Sequence, residues 1–144
     1  MFAEFFNAFF SDESVKLRAL DDLRRKSKGN DYLFADADLT SISTNGGSVV
    51  VHGLDDAAIH AAIEAFAVDR KKGEAREIKP LSGVYVIRTP TLRFPNGLSY
   101  WISDGDAPDE KRVSLYAWSV FGRRAYGVNR DYVTALARSL TTGA

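Results

Sequence analysis

Apolar residues recur with a helical period in some segments of this chain and with a strand period in others, and each period predicts a type of secondary structure. Five phenylalanines recur at helical spacing in the opening stretch MFAEFFNAFF and fall on one stripe of an α-helix. Ser11 is placed to cap a second helix, with apolar side chains from Val15 to Leu23 and a stop at Gly29. Residues 1–28 are therefore predicted to form a helical N-terminal segment that packs on the rest of the chain or extends from it.

The helical period returns twice further along. Asp55 or Asp56 is predicted to begin a central helix with an apolar face from Ile59 to Ala67, ended by the basic run before Gly73. Asn129 is predicted to cap a C-terminal helix with a second apolar stripe. Both segments are long enough, and regular enough, to predict helices that lay one face on a core.

Between these helices the pattern is typical of strands. The predicted strands are 32–35, 39–44, 48–52, 84–88, 92–94, 98–103, 113–120 and 124–128.

Three short stretches predict the turns between strands. Asn45-Gly46-Gly47 predicts a hairpin between 39–44 and 48–52, because these residues reach positive φ at low cost. Pro95-Asn96-Gly97 predicts another turn, and Gly122-Arg123 a two-residue turn that places Trp118 opposite Gly127. Short turns of this kind join antiparallel strands.

The order of these elements predicts the fold class. We expect one α+β domain over residues 1–144, with a mostly antiparallel sheet, N-terminal helices, one central helix and one C-terminal helix.

Composition narrows the function classes only a little. The 144 residues contain nineteen basic and nineteen acidic side chains, so no overall field favours nucleic acid or membrane. The absence of cysteine excludes disulfides and thiolate metal sites. No stretch approaches the roughly 20 apolar residues of a membrane span, so we expect no membrane association and a cytoplasmic location. The alanine- and arginine-rich composition suits a bacterial or bacteriophage protein.

One string has the pattern of a catalytic motif. LFADADLT places Asp36 and Asp38 after an apolar strand, which resembles the first motif of haloacid-dehalogenase-type phosphatases. The resemblance implies a small Mg-dependent phosphatase-like enzyme in which Asp36 attacks phosphorus and Asp38 handles the leaving-group proton. The pattern then fails, because no lysine lies between Thr89 and Asp106 and too few residues separate them for a crossover helix.

Other catalytic and metal patterns are weaker. His52 and His60 are the two histidines, and His60 with Glu64 has the i, i+4 spacing of a helical pair, most often a surface contact. The sequence has no P-loop, G-x-G-x-x-G or G-x-S-x-G string. We therefore predict no catalytic residue, metal or cofactor, and regard an enzyme as less favoured than a binding protein.

The second half of the chain is basic and aromatic, with such residues on strands and turns from Tyr85 and Arg88 onward. A sheet that stacks bases and holds phosphates uses these residue types. The predicted nucleic-acid contacts are Arg93, Arg112, Trp118, Arg123, Arg124 and Tyr126. The isoelectric point near 6.7 lies below that of typical nucleic-acid binders, so this function is the alternative rather than the main prediction.

The phenylalanine stripe carries the main prediction. It is wider than one sheet face easily covers, so we expect Phe6 and Phe9 to pack inward. Phe5 and Phe10, with Phe2 at the chain end, are the predicted contacts with a protein partner or a second copy. The sequence thus predicts a non-enzymatic interaction or assembly protein, with nucleic-acid binding and a phosphatase-like enzyme as alternatives.

Overall fold

The computed structural model describes residues 15–25, 30–90, 93–120 and 127–142, and within them the chain forms six strands and two α-helices. The strands are β1 Asp31–Phe34, β2 Val49–His52, β3 Glu74–Lys79, β4 Ser82–Arg88, β5 Pro95–Asp104 and β6 Glu110–Ser119. The helices are α1 Asp56–Glu64, which continues as the π-helical segment Ala65–Arg70, and α2 Val128–Thr142. A short 3₁₀ turn, Leu20–Asp22, precedes β1.

The strands form one antiparallel sheet in the order β1-β6-β5-β4-β3. The strand β6 is long enough to pair with two strands on the same side: β1 runs beside residues 115–118 and β2 beside residues 110–113. The pairing of Phe34 with Gly46 is parallel, and it is an isolated bridge. The predicted α+β class with a mostly antiparallel sheet is therefore confirmed.

The two faces of the sheet are covered by different parts of the chain. Side chains alternate across β4, so Tyr85 and Ile87 join the core under α1 and α2, whereas Val84 and Val86 join a second core on the opposite face. On that second face Val15 and Leu23 of residues 15–25 cover the sheet. We call residues 15–25 the strap.

Both predicted helices beyond the N-terminal region are confirmed. Asp55 caps α1, and its side chain accepts a hydrogen bond of 2.8 Å from the backbone nitrogen of Ala58. In α2, Asn129 lies inside the first turn and is buried, so its side chain bonds neighbouring elements instead of capping the helix. No helix in the described ranges is long and apolar enough to cross a membrane.

The predicted second N-terminal helix is wrong over the residues that are described. The strap is extended, with φ −64° and ψ 148° at Ala19, apart from its single 3₁₀ turn. Val15 and Leu17 are more buried than Lys16 and Arg18, which is the two-residue period of an extended segment on a sheet. Packing against the sheet therefore overrides helix propensity here. The phenylalanine stripe of residues 2–10 lies outside the described residues.

The predicted hairpin around Asn45 is also wrong. Residues 39–44 form no strand, and β2 pairs with β6 instead. The Asn45-Gly46 pair folds back beside β1: Asn45 donates its backbone N–H to Leu33 at 2.8 Å, and Ala35 donates to Gly46 at 2.9 Å. Gly46 is needed at this point because the Phe34 ring lies where a Cβ would be.

The turn predicted at residues 95–97 is wrong, because all three belong to β5. Gly97 pairs with Trp118 across β5 and β6, and the indole occupies the space of the missing side chain. The prediction that Trp118 lies opposite Gly127 is corrected accordingly. Gly127 instead has φ +80° just before α2, so residues 127–128 are not part of a strand.

The strand β3 is not among the strands that the sequence pattern predicts. Its sequence EAREIK has no apolar face, and Ile78 is 47% exposed. The segment is a strand because it pairs with β4 at the edge of the sheet, and charged residues suit such an edge.

Candidate anion-binding site

A cavity of about 610 Å³ lies where the end of the π-helical segment, the end of β4, the loop after it and the first turns of α2 meet. Five of its lining side chains are cationic and one is anionic: Arg70, Lys71, Lys72, Arg88, Arg93 and Asp131. The chain as a whole has no net charge, so the positive charge at this cavity is a local concentration.

The end of the π-helical segment positions three of the cations. Lys71 donates its backbone N–H to Phe66 at 3.2 Å, and Lys72 donates to Val68 at 3.0 Å, which ends the helix. Lys72 then has φ 58°, the left-handed conformation common just after a helix. At Gly73 a Cβ would lie 2.6 Å from the carbonyl oxygen of Val86, so only glycine lets the chain enter β3 this close to β4.

The side chains of these cations are held by neighbours. The Lys71 ammonium lies 5.7 Å from the ring centre of Phe66 and 5.8 Å from that of Tyr132, within cation–π range. Arg70 donates to the Ser139 hydroxyl at 3.0 Å, and Lys72 to the carbonyl of Asp69 at 3.0 Å. A cation at a helix C-terminus is also favoured by the helix dipole.

Arg88 has no such partner among the described residues. It is the last residue of β4 and is only 7% exposed, and its two terminal nitrogens are buried without a hydrogen-bond partner in the described part of the chain. Burial lowers the pKa of Arg88, the nearby Arg76 and Arg93 lower it further, and Glu74 acts in the opposite direction. A buried charge without an ion-pair partner is costly, so a negative charge beside the Arg88 guanidinium would be favourable.

The loop after β4 holds Arg93 in a second left-handed conformation, φ 60°. Arg93 donates its backbone N–H to the carbonyl of Thr89, and Thr89 donates to the carbonyl of Phe94, both at 3.0 Å. The Thr89 hydroxyl also accepts from the Phe94 nitrogen at 2.9 Å. These bonds fix the backbone that presents Arg93 to the cavity.

The remaining lining is mostly apolar: Ile87, Pro90, Val128, Tyr132 and Ala135. Burial raises the pKa of Tyr132 above its ordinary value. The first turn of α2 adds the positive end of a helix dipole to the same wall. The cavity therefore offers an apolar surface beside a concentration of positive charge.

Of the predicted nucleic-acid contacts that lie among the described residues, one, Arg93, lines this cavity. Arg112 lies elsewhere and bonds Asp38 at 2.8 Å and Asp36 at 3.1 Å. Trp118 is 7% exposed and stacks on Tyr116 with ring centres 5.1 Å apart, on the opposite face of the sheet. The other predicted contacts lie outside the described residues: Arg123, Arg124, Tyr126, Phe2, Phe5 and Phe10.

Asp36 and Asp38, the two aspartates of LFADADLT, both accept hydrogen bonds from the guanidinium of Arg112. Besides bonding Arg112, Asp36 accepts the backbone N–H of Ser48 at 2.8 Å, and its own N–H donates to the Ser48 hydroxyl at 2.9 Å. The hydrogen bonds to Asp38 and then Asp36 raise the pKa of Arg112. These contacts tie the loop after β1 to β2 and β6, and both aspartates belong to an intramolecular network.

His60 is likewise engaged inside the protein. Its Nε2 lies 2.8 Å from the carbonyl of Pro80, which can only accept, so Nε2 carries the proton. In the neutral ring Nδ1 then accepts from the buried Tyr100 hydroxyl at 2.5 Å. Within the described ranges no group of three or more histidine, aspartate or glutamate side chains is placed to hold a metal ion.

Most of the cavity is not evident from the sequence. The Arg70–Lys72 run has the pattern of a helix stop, and Arg88 is one of many cations on the predicted strands. A positively charged residue in a strand that is otherwise apolar, VYVIR, was the available signal for Arg88.

Comparisons with protein-family models, with curated proteins and with solved structures find no match to this chain.

Proposed function

We propose that this protein is a non-enzymatic binding protein that takes a small organic anion, a phosphate or carboxylate on an apolar body, in the cavity beside Arg88. The observation that carries the proposal is the buried guanidinium of Arg88, unpaired within the described residues, at a cavity lined by four further cations. A ligand's negative charge would offset the cost of this buried cation.

The size and lining of the cavity support a small ligand. A volume of about 610 Å³ falls within the range of small-molecule sites, which are mostly apolar with a few polar groups. The apolar wall of Ile87, Val128 and Tyr132 suits the uncharged part of the ligand. The first turn of α2 and the fixed cations suit its anionic group.

The residues that line the cavity favour ligand binding over catalysis. Among the described residues that line the cavity, Asp131 is the one carboxylate, and none is histidine, serine or threonine. The usual pairing of a nucleophile with a general base is therefore not supplied by these side chains.

Nucleic-acid binding is a second candidate, because Arg93 belongs both to the cavity and to the predicted nucleic-acid contacts. The same cations would then hold a backbone phosphate. Assembly through Phe2, Phe5 and Phe10 remains a prediction, as do the cytoplasmic location and the bacterial or bacteriophage origin.

Calorimetric titration tests the proposal with phenyl phosphate, phenol and a single-stranded oligonucleotide as probes. We expect phenyl phosphate to bind, phenol not to bind, and Arg88→Met to weaken phenyl phosphate binding at least tenfold. Lys79→Met is the matched control, because Lys79 is exposed on β3 away from the cavity, and it should bind like the unmodified protein.

Two results would contradict the proposal. One is equal affinity of the Arg88→Met and Lys79→Met variants for phenyl phosphate. The other is tight oligonucleotide binding without any phenyl phosphate binding, which would favour the nucleic-acid function instead.

A further inference from the structure

A second, smaller pocket of about 190 Å³ lies on the opposite face of the sheet, between the strap and strands β5 and β6. It is lined by Lys16, Arg18, Leu23, Arg24, Ser99, Tyr116 and Trp118. None of these residues lines the cavity at Arg88, so the two sites are independent.

Two aromatic side chains, Tyr116 and Trp118, form the floor of this pocket. Gly97 lets the indole of Trp118 lie against β5, and Tyr116 stacks on the indole with an interplanar angle of 18°. The Tyr116 hydroxyl donates to Asp31 at 2.8 Å, so the ring is fixed. Ser99 pairs with Tyr116 across the strands and is 1% exposed.

The strap that carries the cations is anchored along its length. The Trp101 indole nitrogen donates to the carbonyl of Arg18 at 2.9 Å. Asp21 accepts from the Thr40 hydroxyl at 2.9 Å and from the Ser41 nitrogen at 3.0 Å. These bonds hold the backbone that presents Lys16, Arg18 and Arg24 at the pocket.

The charge at this pocket is not neutralised within the described part of the chain. Arg25, which follows Arg24 on the strap, forms an ion pair with Asp31, and its Nε lies 2.7 Å from the Asp31 carboxylate. By contrast, Lys16, Arg18 and Arg24 make no ion pair with any described residue, and no lining residue is acidic. The pocket thus combines three cations that are unpaired within the described residues with two stacked aromatic rings.

We propose that this pocket binds a planar anion of one aromatic ring, such as an aromatic carboxylate, with the ring against Tyr116 and Trp118 and the carboxylate toward the strap cations. The volume suits one ring, since an apolar cavity of roughly 150 Å³ accommodates benzene. Aromatic rings pack against one another in offset-stacked or edge-to-face geometry, which favours a flat ring over a puckered one of the same size. Arginine and lysine favour the carboxylate.

Two-dimensional ¹H–¹⁵N NMR of the full chain tests this inference, with benzoate, cyclohexanecarboxylate and inorganic phosphate as probes. The two tryptophan indole signals are assigned with Trp101→Phe. We expect benzoate to shift the Trp118 signal in a saturable way, and cyclohexanecarboxylate and phosphate to shift it much less. The combined Lys16→Gln and Arg24→Gln variant should bind benzoate about tenfold more weakly.

A control variant and the choice of signal make the outcome decisive. Lys79→Gln removes an exposed lysine on the other edge of the sheet and should leave benzoate affinity at this pocket unchanged. Benzoate bound in the cavity at Arg88 should not shift the Trp118 signal, because Trp118 lies on the opposite face of the sheet. No saturable shift of Trp118, an equal response to phosphate, or unchanged affinity in the Lys16/Arg24 variant would each overturn the inference.

Discussion

Lys72 and Arg93 line the same cavity from different walls, and both have left-handed backbones, with φ of 58° and 60°. A non-glycine residue in this conformation costs of order 1–3 kcal/mol. Both residues are cations, whereas glycine would fit either backbone without strain. The cavity therefore places charge at positions where stability alone would favour glycine.

This relationship predicts that two substitutions at Arg93 have the same effect on binding but different effects on stability. Arg93→Gly and Arg93→Ala should weaken phenyl phosphate binding equally, because both remove the charge. Arg93→Gly should be about 1 kcal/mol more stable than Arg93→Ala, because only glycine relieves the left-handed strain. Urea denaturation of the two variants measures the difference. Equal stabilities would show that the backbone is not strained there.

A buried polar network joins α2 to the sheet and predicts a second effect. Asn129 donates to the Ser119 hydroxyl and to the carbonyl of Asn30, both at 3.0 Å, and accepts from Asn96 at 2.9 Å. Asn129→Ala should lower the free energy of unfolding by about 2–3 kcal/mol, because buried partners lose their bonds. The exposed Thr141→Ala on the same helix should change it by under about 0.5 kcal/mol. Similar losses in both variants would contradict this role for Asn129.

The contact between Gly97 and Trp118 predicts a third effect. Gly97→Ala should lower the free energy of unfolding by about 1–3 kcal/mol, because the new methyl group overlaps the indole. In a Trp118→Ala background the same substitution should cost little, since the overlap is gone. A double-mutant cycle by chemical denaturation measures this coupling. Additive losses would mean that the indole does not lie over Gly97.

Burial of tyrosines predicts how stability depends on pH. Burial raises the pKa of Tyr100 and of Tyr116 above the ordinary tyrosine value. In the unfolded chain both hydroxyls ionise at about pH 10, while in the folded protein they stay protonated. Above that pH the unfolded state binds fewer protons, so stability should fall by up to about 1.4 kcal/mol per pH unit for each tyrosine. Below about pH 9 both hydroxyls are protonated in the folded and the unfolded state, so the stability that the two buried tyrosines contribute is fully present.

Urea denaturation between pH 8 and pH 11.5 checks this dependence. Tyr100→Phe should reduce the slope above about pH 10 by the contribution of one tyrosine. An unchanged slope in Tyr100→Phe would contradict the assignment.

Periodicity predicted the elements that bury a regular apolar face. The helices α1 and α2 and the strands β4 and β6 each carry such a face, so they could be located from the sequence. The strand β3 could not be located from the sequence, because the segment EAREIK is held by pairing with β4 rather than by an apolar face. The extended strap could not be located from the sequence either. Its alternation of apolar and polar residues covers only 15–19, which is too short to distinguish an extended segment from a helix when the surface that it covers is unknown.

The cavity itself could not be predicted from the sequence. Its residues come from three separate segments, 70–72, 87–93 and 128–135, and each has a sufficient local explanation on its own. Basic residues end a helix at 70–72, a strand and its loop account for 87–93, and 128–135 begins an amphipathic helix. Only the sheet register and the docking of α2 bring them together around Arg88.

The stability of Arg88→Met, with and without phenyl phosphate, tests the central claim most directly. If Arg88 is a buried cation held for an anionic ligand, methionine should raise the free energy of unfolding of the ligand-free protein by about 1–3 kcal/mol. Phenyl phosphate at 100 times its dissociation constant for the cavity should stabilise the unmodified protein by about 2.7 kcal/mol, and it should stabilise the variant clearly less. A variant that is less stable without ligand, yet is stabilised by phenyl phosphate as much as the unmodified protein, would contradict the account.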